Sequence, residues 1–185
     1  LRQTAVLIGA LLFGYAGAGA TESTPAIGSS GGWFVAGVSG GFANFSVATG
    51  SQSWFVSTGA GSVTSSPVLG PDTPTTAYVG SPSGRAYAIR SGAVVWSTQL
   101  SPSSAPLSSP ALGGDNTAYF AGDALYAVVG QTGVAKWNAS LDVPTTASPL
   151  VASDGSIVLT SPVAAGNDTR QIGRASCRER VSSPV

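Results

Sequence analysis

Histidine and methionine are absent from the 185 residues, cysteine occurs once, at Cys177, and only 9 % of the chain is charged. Without histidine there is no Ser-His-Asp triad, no imidazole metal ligand and no imidazole proton shuttle. A lone cysteine rules out an intrachain disulfide and a thiolate zinc cage. Eight basic residues balance eight acidic ones, and no Lys/Arg cluster occurs before the last fifteen residues. A nucleic-acid surface needs a basic stripe that releases counterions, so nucleic acid is not an expected partner. Helical periodicity does not survive 25 glycines and 12 prolines, which leaves short strands and tight turns as the dominant structure.

What the chain has instead is a repeat. Residues 78–96 read YVGSPSGRAYAIRSGAVVW: a β-rich run, a Gly turn, an alternating run, a second Gly turn and a run closing on Trp. Gly-x-x-x-Trp occurs at Gly50/Trp54, Gly92/Trp96 and Gly133/Trp137, with the tryptophans 42 and 41 residues apart. Pro67, Pro110 and Pro149 mark another common position, 43 and 39 residues apart. A period near forty with several strands per unit is the mark of a blade array. The units run from Trp33 to Val56 (partial), Val63 to Leu100, Pro106 to Leu141, and from Pro144 onward (unfinished). Each offers four alternating runs, and strands are predicted at 77–80, 86–90, 94–98, 118–121, 125–129 and 134–138. One such sheet buries too little to be stable, so the core must come from stacking blades face to face. A set open at both ends should expose a sheet face at each.

The order Ser-Ser-Pro, turn, Tyr-Val-Gly-Ser, Tyr-Ala, Gly-x-x-x-Trp resembles the PQQ-like (pyrroloquinoline-quinone-type) β-propeller repeat over residues 33–162. The resemblance implies an all-β, partial (open) β-propeller of about three four-stranded blades. It also implies that Trp54, Trp96 and Trp137, with Gly50, Gly92 and Gly133, dock one blade on the next. Quinoprotein dehydrogenases of this fold hold the quinone with vicinal cysteines, a stacking Trp and a calcium site. This sequence has no vicinal cysteines and no carboxylate-rich cluster, so fold and cofactor separate. No cofactor, metal or catalytic residue is assigned. Other relatives are binding or assembly modules, including a component of the outer-membrane protein assembly machinery.

Asp72, Asp115 and Asp154 recur in the turn after the first strand of each unit. They could ring a Ca²⁺ ion or cap their own turns, and one Asp per blade favours capping because Ca²⁺ takes six to eight oxygens. Arg85 and Arg90 flank a strand and read as a solvated face. Asn44, Asn138 and Asn167 each begin an N-x-[ST] sequon and are candidate glycosylation acceptors.

The two ends differ from the repeat. Residues 1–20 start with one Arg, continue uncharged from Thr4, and reach Ala-Gly-Ala at 16–18 and again at 18–20, the pattern of a secretory signal peptide. Residues 21–32 read as a linker and residues 33–170 as the propeller fragment. Within residues 171–185, IGRASCRERV (172–181) resembles a translated sequencing adapter and is expected to pack on nothing. Without this tail five basic residues face seven acidic ones, for a charge of minus two. These features point to a secreted or otherwise extracytoplasmic, non-catalytic scaffold with a protein partner and no stable membrane span after signal cleavage. The enzymatic alternative is the N-terminal part of a quinone-dependent dehydrogenase whose site residues lie elsewhere.

Overall fold

A computed structural model gives the fold and describes residues 4–8, 10–15, 23–160 and 171–175. Every regular element among them is a strand, and no helix is long and apolar enough to cross a membrane. In chain order the strands are β1 (Thr4–Ile8), β2 (Ala10–Tyr15), β3 (Ala26–Ile27), β4 (Trp33–Ser46), β5 (Gln52–Ser62), β6 (Val68–Leu69), β7 (Thr76–Gly80) and β8 (Arg85–Arg90). They continue with β9 (Ala93–Gln99), β10 (Ala111–Leu112), β11 (Thr117–Ala121), β12 (Ala124–Val129), β13 (Ala135–Ser140), β14 (Leu150–Val151), β15 (Ile157–Thr160) and β16 (Gln171–Ala175). The six predicted strands correspond to β7–β9 and β11–β13.

Blades two and three are four-stranded antiparallel meanders, β6-β7-β8-β9 and β10-β11-β12-β13. Blade one is β3-β4-β5, yet it too has four rungs. Phe34 and Phe45 lie eleven residues apart in β4 and would be about 36 Å apart in one extended strand. Their rings stack at 5.2 Å, and the Val47 amide donates to the Gly32 carbonyl at 3.0 Å. The segment therefore doubles back near Gly40, whose φ of 80° is open to glycine at no steric cost. Blade four is three-stranded, β14-β15-β16.

Burial follows the repeat. The second strand of each middle blade is buried at every position, β7 and β11 alike, while the outer strands β9 and β13 are mostly exposed. Three apolar clusters lie between blades. Val35, Phe42, Val56 and Val63 meet Ala77, Val79 and Ile89; Tyr78, Ala88 and Trp96 meet Phe120, Tyr126 and Val128; Tyr119, Leu125 and Ala127 meet Ile157 and Leu159. Alternation along each strand supplies the two faces: Tyr78 points to the third blade, Ala77 and Val79 to the first.

Serines stitch the inner strands together. Ser65 Oγ accepts from the Gly80 amide (3.1 Å) and donates to the Ser108 carbonyl of the next blade (3.2 Å). The Ser66 amide donates to Ser109 Oγ at 2.8 Å, and the Thr24 amide to Ser66 Oγ at 2.8 Å. The Gly37 amide donates to Ser23 Oγ at 3.1 Å, as the Ala121 amide does to Ser108 Oγ at 3.0 Å.

Strand pairing and burial differ from three expectations. The segment 21–32 is not wholly a linker, because STPAIG (23–28) supplies β3, the first strand of blade one, and its serine bond. The tail does not pack on nothing: β16 pairs with β15 through Leu159↔Ile172 and Thr160↔Gln171. The physical reason is that the open edge of β15 presents backbone N–H and C=O groups to any extended segment, whatever its side chains. The far face of blade one is not exposed, since Phe34, Val38, Ala43 and Phe45 are buried there. The segment read as a signal peptide contains β1 and β2, paired antiparallel through Leu7↔Leu11 and Ile8↔Ala10.

The glycine of Gly-x-x-x-Trp can be tested against a glycine with the same backbone. Gly133 and Gly155 have φ of 73° and 78°; a Cβ on Gly133 would sit 2.6 Å from the Trp96 ring, while one on Gly155 meets nothing within 4 Å. Ala at Gly155 should cost only the left-handed backbone term, about 1–2 kcal/mol. Ala at Gly133 should add an overpacking cost of about 1–3 kcal/mol. Denaturant unfolding of both variants checks the difference, and equal losses would show that Trp96 does not press on Gly133.

Candidate protein-binding surface

In an antiparallel meander the turns joining strands one to two and three to four fall at the same end of the blade. Both kinds of turn carry the residues singled out by the repeat, so one end of the array collects the aspartates, the Gly-x-x-x-Trp turns and the tryptophans.

Asp115 and Asp154 cap their own turns, whereas Asp72 pairs with side chains. Asp115 accepts from the Thr117 amide (3.0 Å), the Thr117 hydroxyl (2.7 Å) and Lys136 Nζ (3.1 Å). Asp154 accepts from the Ser156 amide (2.9 Å) and hydroxyl (2.6 Å). Asp72 accepts from the Thr76 hydroxyl (3.0 Å) and pairs with Arg90 Nη2 at 3.2 Å. Arg90 is thus an ion-paired strand residue rather than part of a solvated face, and its Nε also donates to Thr76 at 2.9 Å. Arg85 makes only an exposed contact with Ser97. No group of three or more potential metal ligands occurs among the described residues. The aspartates spend their lone pairs on turn amides, hydroxyls and cations, a donor set that does not fit a calcium–quinone site.

Trp54 and Trp96 meet the following blade. Trp96 is buried (9 % exposed), its indole N–H donates to the Gly130 carbonyl at 2.7 Å, and its ring lies over Gly133. Trp54 lies over Gly92 in the same way, and φ is 68°, 81° and 73° at Gly50, Gly92 and Gly133. Trp137 packs with Tyr119 at 5.9 Å, the counterpart of Tyr78 with Trp96 at 6.1 Å.

Beside two of these tryptophans the blades part into grooves. One, of about 940 Å³, lies between blades three and four, with Trp137 and Tyr119 as floor and Asp115, Lys136, Ser153 and Gly155 among its walls. The other, of about 570 Å³, lies between blades one and two, with Trp33 and Trp54 as floor and residues 73–75 and Ser91 on one wall. Between blades two and three the same place is packed, because Tyr78 Oη donates to Asn116 Oδ1 (3.4 Å) and Trp96 to Gly130. Burial holds the Tyr78 phenol above its ordinary pKa, so it stays a donor.

Of the sequon asparagines, Asn44 is 7 % exposed, paired opposite Trp54 in the β4–β5 ladder. Asn138 is exposed on β13, and Asn167 lies outside the described residues. Sequence reasoning missed the bridging serines, although STPAIG stands 42 residues before SSPVLG and signals them. It also missed Asp123, which accepts from Tyr126 Oη at 2.6 Å and Ser103 Oγ at 2.7 Å at the opposite end of the blades. Burial, and then the hydrogen bond to the Asp123 carboxylate, push the Tyr126 phenol well up. Burial alone would raise the Asp123 carboxyl, but the hydrogen bonds from Tyr126, Ser103 and Ser101 outweigh it and hold the carboxyl below its ordinary value. This couple carries no repeat signature, so nothing in the sequence marked it.

Hydrogen bonds from Thr117, and then Lys136, bring Asp115 down to about 2. A carboxyl whose folded pKa is depressed stabilises the fold above its unfolded value of about 3.9 and loses that contribution as pH falls through the folded value. The side chain is 60 % exposed, so the effect is small. Asp115→Asn keeps a turn-capping amide and removes the charge. It should melt slightly below the wild type at pH 6, with the gap closing between about pH 4 and about pH 2 in thermal melts.

Comparison with known proteins agrees with this architecture. The family model described as outer membrane protein assembly factor BamB matches residues 9–109 and again residues 85–175. No curated protein matches the chain significantly. Among solved structures the chain is similar to the crystal structure of BamB from Moraxella catarrhalis, at 19 % identity and a TM-score of 0.66. That alignment covers 81 % of this chain and 50 % of the other, so this chain spans about half the length of that structure. With two overlapping family matches, blades in tandem and the Trp–Gly contacts between them, the chain belongs to the BamB-like family of PQQ-like β-propeller repeat proteins.

Proposed function

We propose that this chain is part of a larger non-catalytic propeller scaffold that works outside the cytoplasm and holds extended protein segments in its inter-blade grooves. The observation that carries the reading is the recurrence of the groove. Two clefts at the same end of the array share an aromatic floor and a rim of turn backbone, the combination that binds a peptide without demanding one sequence. Aromatic floors anchor apolar side chains, and the turn residues at the rim meet peptide N–H and C=O groups. The family description, outer membrane protein assembly factor, supports a partner that is itself a protein and a site of action beyond the cytoplasm. Charged groups at this end are paired with one another or committed to turn capping, which leaves shape and aromatic contact as the means of recognition.

The test uses the full-length protein and a urea-denatured outer-membrane β-barrel polypeptide, diluted into buffer and followed by fluorescence anisotropy. Binding is expected, with Trp137→Ala weakening it about tenfold or more, as for a central aromatic anchor. Lys136→Glu alters the groove wall without removing the anchor and should weaken binding less. Unchanged binding in the Trp137 variant, or quinone-dependent dye reduction by the full-length protein, would overturn the reading.

A further inference from the structure

The far face of blade one is the place where the repeat rule and the apparent start of the propeller disagree. Each of three apolar clusters is shared by two successive blades. The fourth contains Phe34, Ala36, Val38, Ala43 and Phe45, all from blade one and all buried, with Phe34 at 3 % and Phe45 at 2 % exposure. A sheet face becomes this dry only when another layer covers it.

The repeat supplies the layer. Gly9 stands 41 residues before Gly50, and Phe13 stands 41 residues before Trp54; the later intervals are 42 and 41. Residues 5–13, AVLIGALLF, therefore fall in register with the third strand, turn and fourth strand of a unit, with Phe in the place of Trp. The backbone agrees, because β1 and β2 form an antiparallel hairpin. Ile8↔Ala10 is its innermost pair, as Arg90↔Ala93 is the innermost pair of the third and fourth strands of blade two. A similar number of residues then separates this hairpin from STPAIG as separates later fourth strands from the next Ser-Ser-Pro: Phe13 lies ten residues before Ser23, and Trp54 and Trp96 lie eleven and twelve before Ser65 and Ser108.

We infer that Thr4–Tyr15 is the third and fourth strand of a propeller blade preceding blade one, stacked on the Phe34/Phe45 face, and not a leader that is removed. The hydrophobic run that resembles a signal peptide is apolar because it lies between sheets. A cleaved leader explains neither the spacing nor the hairpin, and its loss would strip the cover from blade one.

N-terminal sequencing of the protein isolated from its native source decides the point directly. Retention of residues 4–15 is expected, and a mature chain starting at Gly19 or Thr21 would overturn the inference. Two variants of this chain give an independent readout. Deletion of residues 1–22 should lower Tm on the order of 10 °C, or prevent folding, and raise binding of a hydrophobic dye. Phe13→Asp keeps the chain length and should lower Tm in the same direction. If the deletion and Phe13→Asp both melt with the wild type, the segment covers nothing and the inference fails.

Discussion

An indole ring laid on a glycine of the neighbouring sheet sets the spacing of this molecule. Trp96 over Gly133, with its N–H on the Gly130 carbonyl, joins blades two and three where their outer strands begin. Two constraints meet at that glycine. Its positive φ makes the tight turn between strands three and four, and its missing side chain makes the space for the ring. The same pair of demands at Gly92 under Trp54 explains why glycine and tryptophan recur together rather than separately.

From that contact the rest of the packing follows. A blade of four short strands cannot stand alone, and its two faces are both apolar because both are covered. Strands β7 and β11 are buried throughout, whereas β9 and β13 at the rim are open to solvent. Inner strands are too short to contribute a large apolar area, and there the serine bonds between successive units take over. Apolar stacking in the middle, an aromatic clasp outside and hydroxyl bonds inside fix the angle at which one blade meets the next.

The grooves arise where that clasp is looser. Trp96 is fully engaged and its groove is closed, while Trp54 and Trp137 remain half-buried and border open clefts. A binding surface of this kind needs no special residues of its own. The repeat makes it from docking residues that are incompletely covered, which is how a fold can serve as a scaffold without a catalytic constellation.

The strand period, the forty-residue spacing and the Gly-x-x-x-Trp pairs were enough to determine an all-β blade array and to place β7–β9 and β11–β13, because alternation and turn chemistry are local properties. The turn-capping role of Asp115 and Asp154 was legible for the same reason: the acceptors lie two residues from their donors. Tertiary structure alone decided which tryptophan is closed over, that Asn44 is buried while Asn138 is open, and that Arg90 spends its charge on Asp72. Each depends on a residue from another strand or another blade. It also decided the ends, where β3 emerges from an apparent linker and β16 adds to β15. Composition marked both segments as foreign to the repeat, but a sheet edge recruits partners through the backbone, and backbone groups are the same in every residue but proline.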